Sequence, residues 1–250
     1  MSARRQGDRR SSHICPLAAF VAGLALLSLC LSLLIREWDV DMACARWWWH
    51  PSGHWFGSES VVCALLNDYG PLPATVIAVG AALAALAAWL RPSLRRMGPP
   101  AIYLMLAFLL GPGLLVNGVL KHTWGRARPK EVSTFGGKQR YDQVLINDAA
   151  SSGRSFPSGH ASAAFYLCSL GFASAAWGTR KSMYAGLWLG LAWGALVGWS
   201  RMASGAHFLS DVLWSAALVN AVNGGLLLAM SHWRPQRAAE PQTRPMHLAT

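Results

Sequence analysis

The sequence predicts an all-α, polytopic membrane protein with about six transmembrane helices in one bundle. Three observations carry the class. Of 250 residues, 53% are hydrophobic and 13% charged, where a soluble domain carries roughly 25% charge. The apolar residues gather into blocks of about 20, the length that crosses a bilayer. Basic residues cluster in alternate short connections between those blocks, the asymmetry expected of cytoplasmic loops.

Residues 1–15 read as a basic cytoplasmic segment with Arg4, Arg5, Arg9 and Arg10. The first span, 16–35, is long for a signal peptide and has no small-residue cleavage site before Arg36, so it is expected to stay. Residues 36–71 form a loop with Trp47, Trp48, Trp49 and Trp55, and tryptophan clusters favour headgroup level. Spans follow at 72–90, at 100–120 with a kink expected at Gly111, Pro112 and Gly113, then at 161–177, 183–199 and 208–230. The membrane domain is thus 16–231. The tail, 232–250, is polar and Pro-rich, and reads as cytoplasmic and disordered.

Six spans put both termini on one side. That side carries Arg91, Arg95, Arg96, Arg180, Lys181, Arg234 and Arg237, which marks it as cytoplasmic. The loops 36–71, 121–160 and 200–207 then face outward together. They hold Lys121, Arg126, Arg128, Lys130, Lys138, Arg140 and Arg154 against the topological bias. Cations kept on that side suggest anion binding. The net charge of +11 suits anionic headgroups. Nucleic acid is the competing reading of such a charge and is not expected as a partner, because no basic helix or aromatic-basic repeat stands outside the apolar blocks.

Five cysteines make no framework. Cys15, Cys30 and Cys168 fall at or within apolar segments, and Cys44 and Cys63 share one external loop, where they are candidates to pair in an oxidising compartment.

Three stretches carry chemistry. In Ser200-Arg201-x3-Gly205-x-His207-x3-Asp211, a helix beginning near His207 would put His207 and Asp211 on one face. The carboxylate would fix one ring nitrogen as N–H and leave the other free to attack, while Arg201 offers a fork of donors to phosphate oxygens. Lys121-x6-Arg128-Pro129 leaves the third span with an ammonium at the membrane edge and a guanidinium seven residues on. Pro157-Ser158-Gly159-His160 opens the fourth span: Ser158 can cap the helix beside its anion-attracting N–H groups, Gly159 permits close backbone approach, and His160 can donate a proton. Pro51-Ser52-Gly53-His54 repeats the tetrapeptide, but no Lys-x6-Arg-Pro precedes it and tryptophans surround it. It reads as part of the interfacial loop.

In this order, each at an outer membrane edge, the three stretches resemble the signatures of the type-2 phosphatidic acid phosphatase family. The resemblance covers roughly residues 60–230. It implies that His207 attacks phosphorus, oriented by Asp211, to give a phosphohistidine, and that His160 protonates the leaving alkoxide and then activates water. It assigns Lys121, Arg128, Arg201, Ser158 and Gly159 to the phosphate oxygens. No metal or cofactor is implied, and the 11 acidic residues form no cluster of the kind a two-metal site needs. Within the family, Gly111, Pro112, Gly113 and Asn117 before Lys121, and Phe135, Gly136 and Gly137 after Pro129, look most like bacterial lipid A phosphatases of the 4'-phosphatase type. The alternatives are lipid A 1-phosphatase, phosphatidylglycerol phosphate or undecaprenyl pyrophosphate phosphatase, a phosphotransferase, or a lipid-binding or transport protein with a retained phosphate pocket. The expected partners are a lipid substrate and the bilayer of the bacterial inner membrane, with the active site at its periplasmic edge.

Overall fold

A computed structural model describes residues 2–146 and 153–231, with side chains over 16–146 and 153–230; the tail expected at 232–250 lies outside them. Helix α1 (Ser2–Trp38) leads into α2 (Val40–Trp48), a two-stranded hairpin of β1 (Trp49–His50) and β2 (His54–Trp55), α3 (Phe56–Glu59) and α4 (Val61–Tyr69). Next come α5 (Leu72–Leu90), a 3-10 segment at Pro92–Met97, α6 (Gly98–Phe108), a π-helix at Leu109–Leu120 and α7 (Lys121–Thr123). A loop with two short 3-10 turns leads to α8 (Gly159–Phe165) and α9 (Ser169–Trp177), joined by a 3-10 turn, and then to α10 (Arg180–Ala203) and α11 (Leu209–Ser231).

Among the described residues, four helical stretches are long and apolar enough to cross a membrane: Pro16–Trp38, Val61–Leu90, Pro92–Thr123 and Leu209–Met230. The chain reads accordingly as a helical membrane protein. The expected spans at 161–177 and 183–199 also fall on helix, but α8 and α9 are only 7 and 9 residues long, and α10 is diluted by glycines and end charges.

The residues 36–71 differ most from expectation. Instead of an open surface loop they form α2 to α4, with a small antiparallel hairpin that qualifies the all-α class. The tryptophans separate by role: Trp47 is 86% exposed, whereas Trp55 is 7% exposed and packs with Met42, Phe135 and Phe208. Cys44 on α2 and Cys63 on α4 are free thiols, so the anticipated pairing is not formed. The loop is folded into separate helices, and Cys63 is fully buried.

The kink expected at Pro112 is a π-helical stretch. Proline has no N–H to continue an α-helical ladder, and the wider turn is stitched across instead. Asn117 Nδ2 donates to the Pro112 carbonyl at 2.7 Å, five residues back.

Glycines set how closely α10 packs. Gly186, Gly190, Gly194 and Gly198 recur every fourth residue, and a Cβ on them would collide with Gly171, Cys168, Phe165 and Val212, respectively. A small-residue stripe of this kind lets helices approach closely where lipid supplies no hydrophobic drive. α10 therefore lies directly on α8, α9 and α11. Interhelical hydrogen bonds add to it: Trp214 Nε1 on α11 donates to Ser32 Oγ on α1 at 2.8 Å, Tyr166 Oη to the Leu104 carbonyl at 2.9 Å, and Trp193 Nε1 to the Gly70 carbonyl at 2.9 Å. The result is to bring the start of α8, the end of α10 and the start of α11 to one end of the bundle.

Candidate active site

His207 ends the turn between α10 and α11. Gly205 makes that turn possible, with φ +62 and no room for a Cβ beside the Trp55 indole. Asp211 lies in the first turn of α11, four residues after His207. Its Oδ2 is 3.6 Å from His207 Nδ1, an ion-pair distance longer than a hydrogen bond. Both side chains are buried. Asp211 is held tightly: Oδ1 accepts from Arg126 Nη1 at 2.6 Å, and Oδ2 from Ser155 Oγ at 2.5 Å and the Phe208 amide at 2.9 Å.

Ser158 caps α8, its Oγ accepting from the Ala161 amide at 3.3 Å. Its carbonyl accepts from Ser215 Oγ at 3.0 Å and its amide donates to the Asp211 carbonyl at 3.4 Å. The cap of α8 is thus anchored to α11. Gly159 follows, buried, where a Cβ would stand 2.9 Å from Lys121 Nζ and 2.5 Å from Asn117 Oδ1. Lys121 Nζ donates to that Asn117 oxygen at 3.4 Å.

The cations meet at the same place. His160 feels Arg201, His207, Lys121 and Arg128, and Nε of both Arg128 and Arg201 is buried without a hydrogen-bond partner. Buried guanidinium donors left open by the protein suit an anion. Burial first, and then Arg201, His207, Lys121 and Arg128, hold His160 down at about 4. Burial likewise lowers His207 to about 4; Asp211 pulls it up, while Arg201 and Lys121 push it down. Both imidazoles are neutral at pH 7, and a neutral ring can act as nucleophile or base.

Arg126 departs from the sequence expectation. Grouped from sequence with the outward cations, it is 1% exposed and closed off by protein. Nη2 donates to Asp41 Oδ2 at 2.7 Å, Nη1 to Ser210 Oγ at 2.7 Å as well as to Asp211, and Nε to the Asp142 carbonyl at 3.0 Å. Burial opposes its charge, but Asp211 and Asp41 outweigh that and hold its pKa above the ordinary value. Lys130, Lys138, Arg140 and Arg154 are exposed.

Sequence reasoning missed Asp41, Ser155 and Ser210 as parts of the site. Asp41, one of three closely spaced acidic residues with Glu37 and Asp39, gives no signal that sets it apart, and its partners lie 85 and 169 residues away. The repeated tetrapeptide falls elsewhere. Gly53 (φ 91) turns the β1–β2 hairpin, and His54 Nε2 pairs with Glu59 at 3.2 Å on the surface. Among the described residues, no group of three or more His, Cys, Asp or Glu side chains could hold a metal ion.

One end of the helical bundle thus brings together the buried His207, the half-buried His160, a carboxylate and three cations. The chain belongs to the PAP2 superfamily, whose model matches residues 100–237, more than half of its length. It is similar to three curated proteins that carry the name lipid A 4'-phosphatase. The Francisella tularensis subsp. novicida protein is 33% identical over 47% of this chain and 52% of its own. Those of Rhizobium etli and Rhizobium leguminosarum are 38% and 39% identical, over 45% and 44% of this chain and 44% and 47% of their own. The chain thus spans about half the length of the curated relatives it matches. No solved structure matches it.

Proposed function

We propose that this chain is a metal-independent lipid phosphatase that hydrolyses a phosphate monoester through a phosphohistidine, with the 4'-phosphate of lipid A as its target. The convergence of Lys121, Arg128 and Arg201 on His160 and His207 carries the chemistry; the names of the three relatives carry the substrate. His207 Nε2 attacks phosphorus in line while Asp211 orients the ring through Nδ1. The ester P–O bond breaks, and His160 supplies the proton to the departing oxygen. Since His160 is neutral in the free site, the dianionic phosphate, held by three cations, brings that proton within reach by raising its basicity. In the second step His160 takes a proton from water, which displaces the phosphoryl group from His207. Lys121, Arg128, Arg201, the Ser158 hydroxyl and the Gly159 amide hold the equatorial oxygens.

The six-span arrangement belongs to this reading: α1, α5, α6 with its π-helical extension, α8–α9, α10 and α11 cross the inner membrane, and the site opens at the periplasmic edge. Side chains such as Leu83, Trp89 and Trp188, 62%, 78% and 69% exposed, then face lipid. A headgroup phosphate reaches the site from the outer leaflet. Purified full-length protein incubated with lipid A in excess EDTA should release inorganic phosphate, and mass spectrometry should show loss of the 4'-phosphate. Loss of the 1-phosphate would move the position and keep the chemistry. Activity that disappears with EDTA and returns with magnesium would refute the mechanism.

A further inference from the structure

The proposed mechanism uses Asp211 but leaves Asp41, Arg126 and Ser210 without a part, although all three are buried around it. Arg126 bridges two carboxylates whose side chains, like its own, are 0% exposed. Each of its three guanidinium nitrogens has a partner, and it lies over the Phe208 ring at 4.6 Å, with Tyr141 at 5.8 Å. Asp41 does more than pair with it. Oδ1 accepts from the Ser210 amide at 3.0 Å and Oδ2 from Ser210 Oγ at 2.5 Å. It therefore ties α2 to the first turn of α11, the turn that presents His207 and Asp211.

The charges matter as well as the contacts. Arg126 alone beside Asp211 would offset the negative charge that a cationic His207 ring needs as its partner. Asp41 on the opposite side of Arg126 offsets that cation instead. With Asp41 present the trio carries one net negative charge. When Nε2 bonds to phosphorus and the ester bond breaks, the ring keeps its Nδ1–H and becomes a phosphoimidazolium, and that charge is matched by the trio. Without Asp41 the remaining Arg126–Asp211 pair is neutral, and the phosphoimidazolium has no net counter-charge. A buried charge without one is costly.

We propose that Asp41 and Arg126 are positioning residues for phosphoryl transfer, a buried pair that fixes Asp211 and leaves its negative charge to the histidine that becomes phosphorylated. This rests on the phosphohistidine reading above. The pair touches no substrate and acts only through Asp211.

The test uses full-length protein in detergent with lipid A micelles, and compares Asp41→Asn, Arg126→Met and the double variant, each corrected for folded fraction by size exclusion and thermal melting. Asp41→Asn keeps the shape and can still accept from Ser210, but it leaves Arg126 balanced by Asp211 alone. It should lower kcat about 10- to 100-fold with KM within about threefold. Adding Arg126→Met to it removes the cation that neutralises Asp211, so the double variant should recover kcat per folded molecule relative to Asp41→Asn. Recovery on making a second lesion is the signature of charge balance, which a merely structural pair would not give. An unchanged kcat in folded Asp41→Asn, or a double variant slower per folded molecule than Asp41→Asn, overturns the proposal while leaving the phosphatase reading intact. Wild-type protein that hydrolyses neither lipid A nor a simple aryl phosphate overturns both.

Discussion

Acid should destabilise this protein through His207, by an amount that the structure sets. The ring is fully buried and its pKa falls from 6.5 to about 4, so the folded state resists a proton that the unfolded chain takes up. Stability then rises with pH across that window: it is complete above about 6.5, and is lost as pH falls toward 4. At 1.36 kcal/mol per pH step, the loss is about 3 kcal/mol, most of it gone by pH 4.5. For a chain of this size 1 kcal/mol moves Tm by about 2–4 °C, so the contribution is about 6–12 °C. His160 adds a smaller loss of the same sign, since it is partly solvated. Differential scanning fluorimetry of purified wild type and His207→Asn between pH 7.5 and 4.5 isolates the effect. In the variant Asp211 keeps Arg126, Ser155 and the Phe208 amide, so its carboxylate stays satisfied. The variant should lose distinctly less Tm over the range. Parallel profiles, or a wild type as stable at pH 4.5 as at pH 7, would refute the assignment of a buried neutral imidazole.

His207→Ala should abolish measurable turnover while His54→Ala, in the surface hairpin, keeps it within about twofold; phosphate release under saturating substrate decides both. Gly159→Ala should lower kcat/KM by at least about tenfold, because the added methyl presses on Lys121 Nζ and Asn117 Oδ1; wild-type kinetics there would mean that Lys121 is not held against α8 during catalysis. For the sidedness, cysteines introduced at exposed Thr134 and Thr179 should divide: a membrane-impermeant maleimide added to the periplasm should label the first and spare the second. Equal labelling would break the six-span arrangement.

The class of the protein was legible because the bilayer imposes length and polarity on any helix that crosses it, and those constraints are written locally. Hence the apolar blocks could be read directly, and so could the His207–Asp211 relation, which needs only a spacing of four across the start of one helix. The three motifs were legible for a related reason: each is contiguous, and its residue types declare their chemistry. Asp41 and Arg126 are the opposite case. Nothing within ten positions of Asp41 marks it, and Arg126 looked like one more outward cation. Only the packing of α2 against the start of α11, across 169 residues, turned them into a buried pair. The same holds for the glycines of α10, whose fourfold spacing becomes meaningful only once Cys168, Phe165 and Val212 lie against them. Burial decides which charges meet substrate and which meet each other, and burial is a property of distant segments brought together.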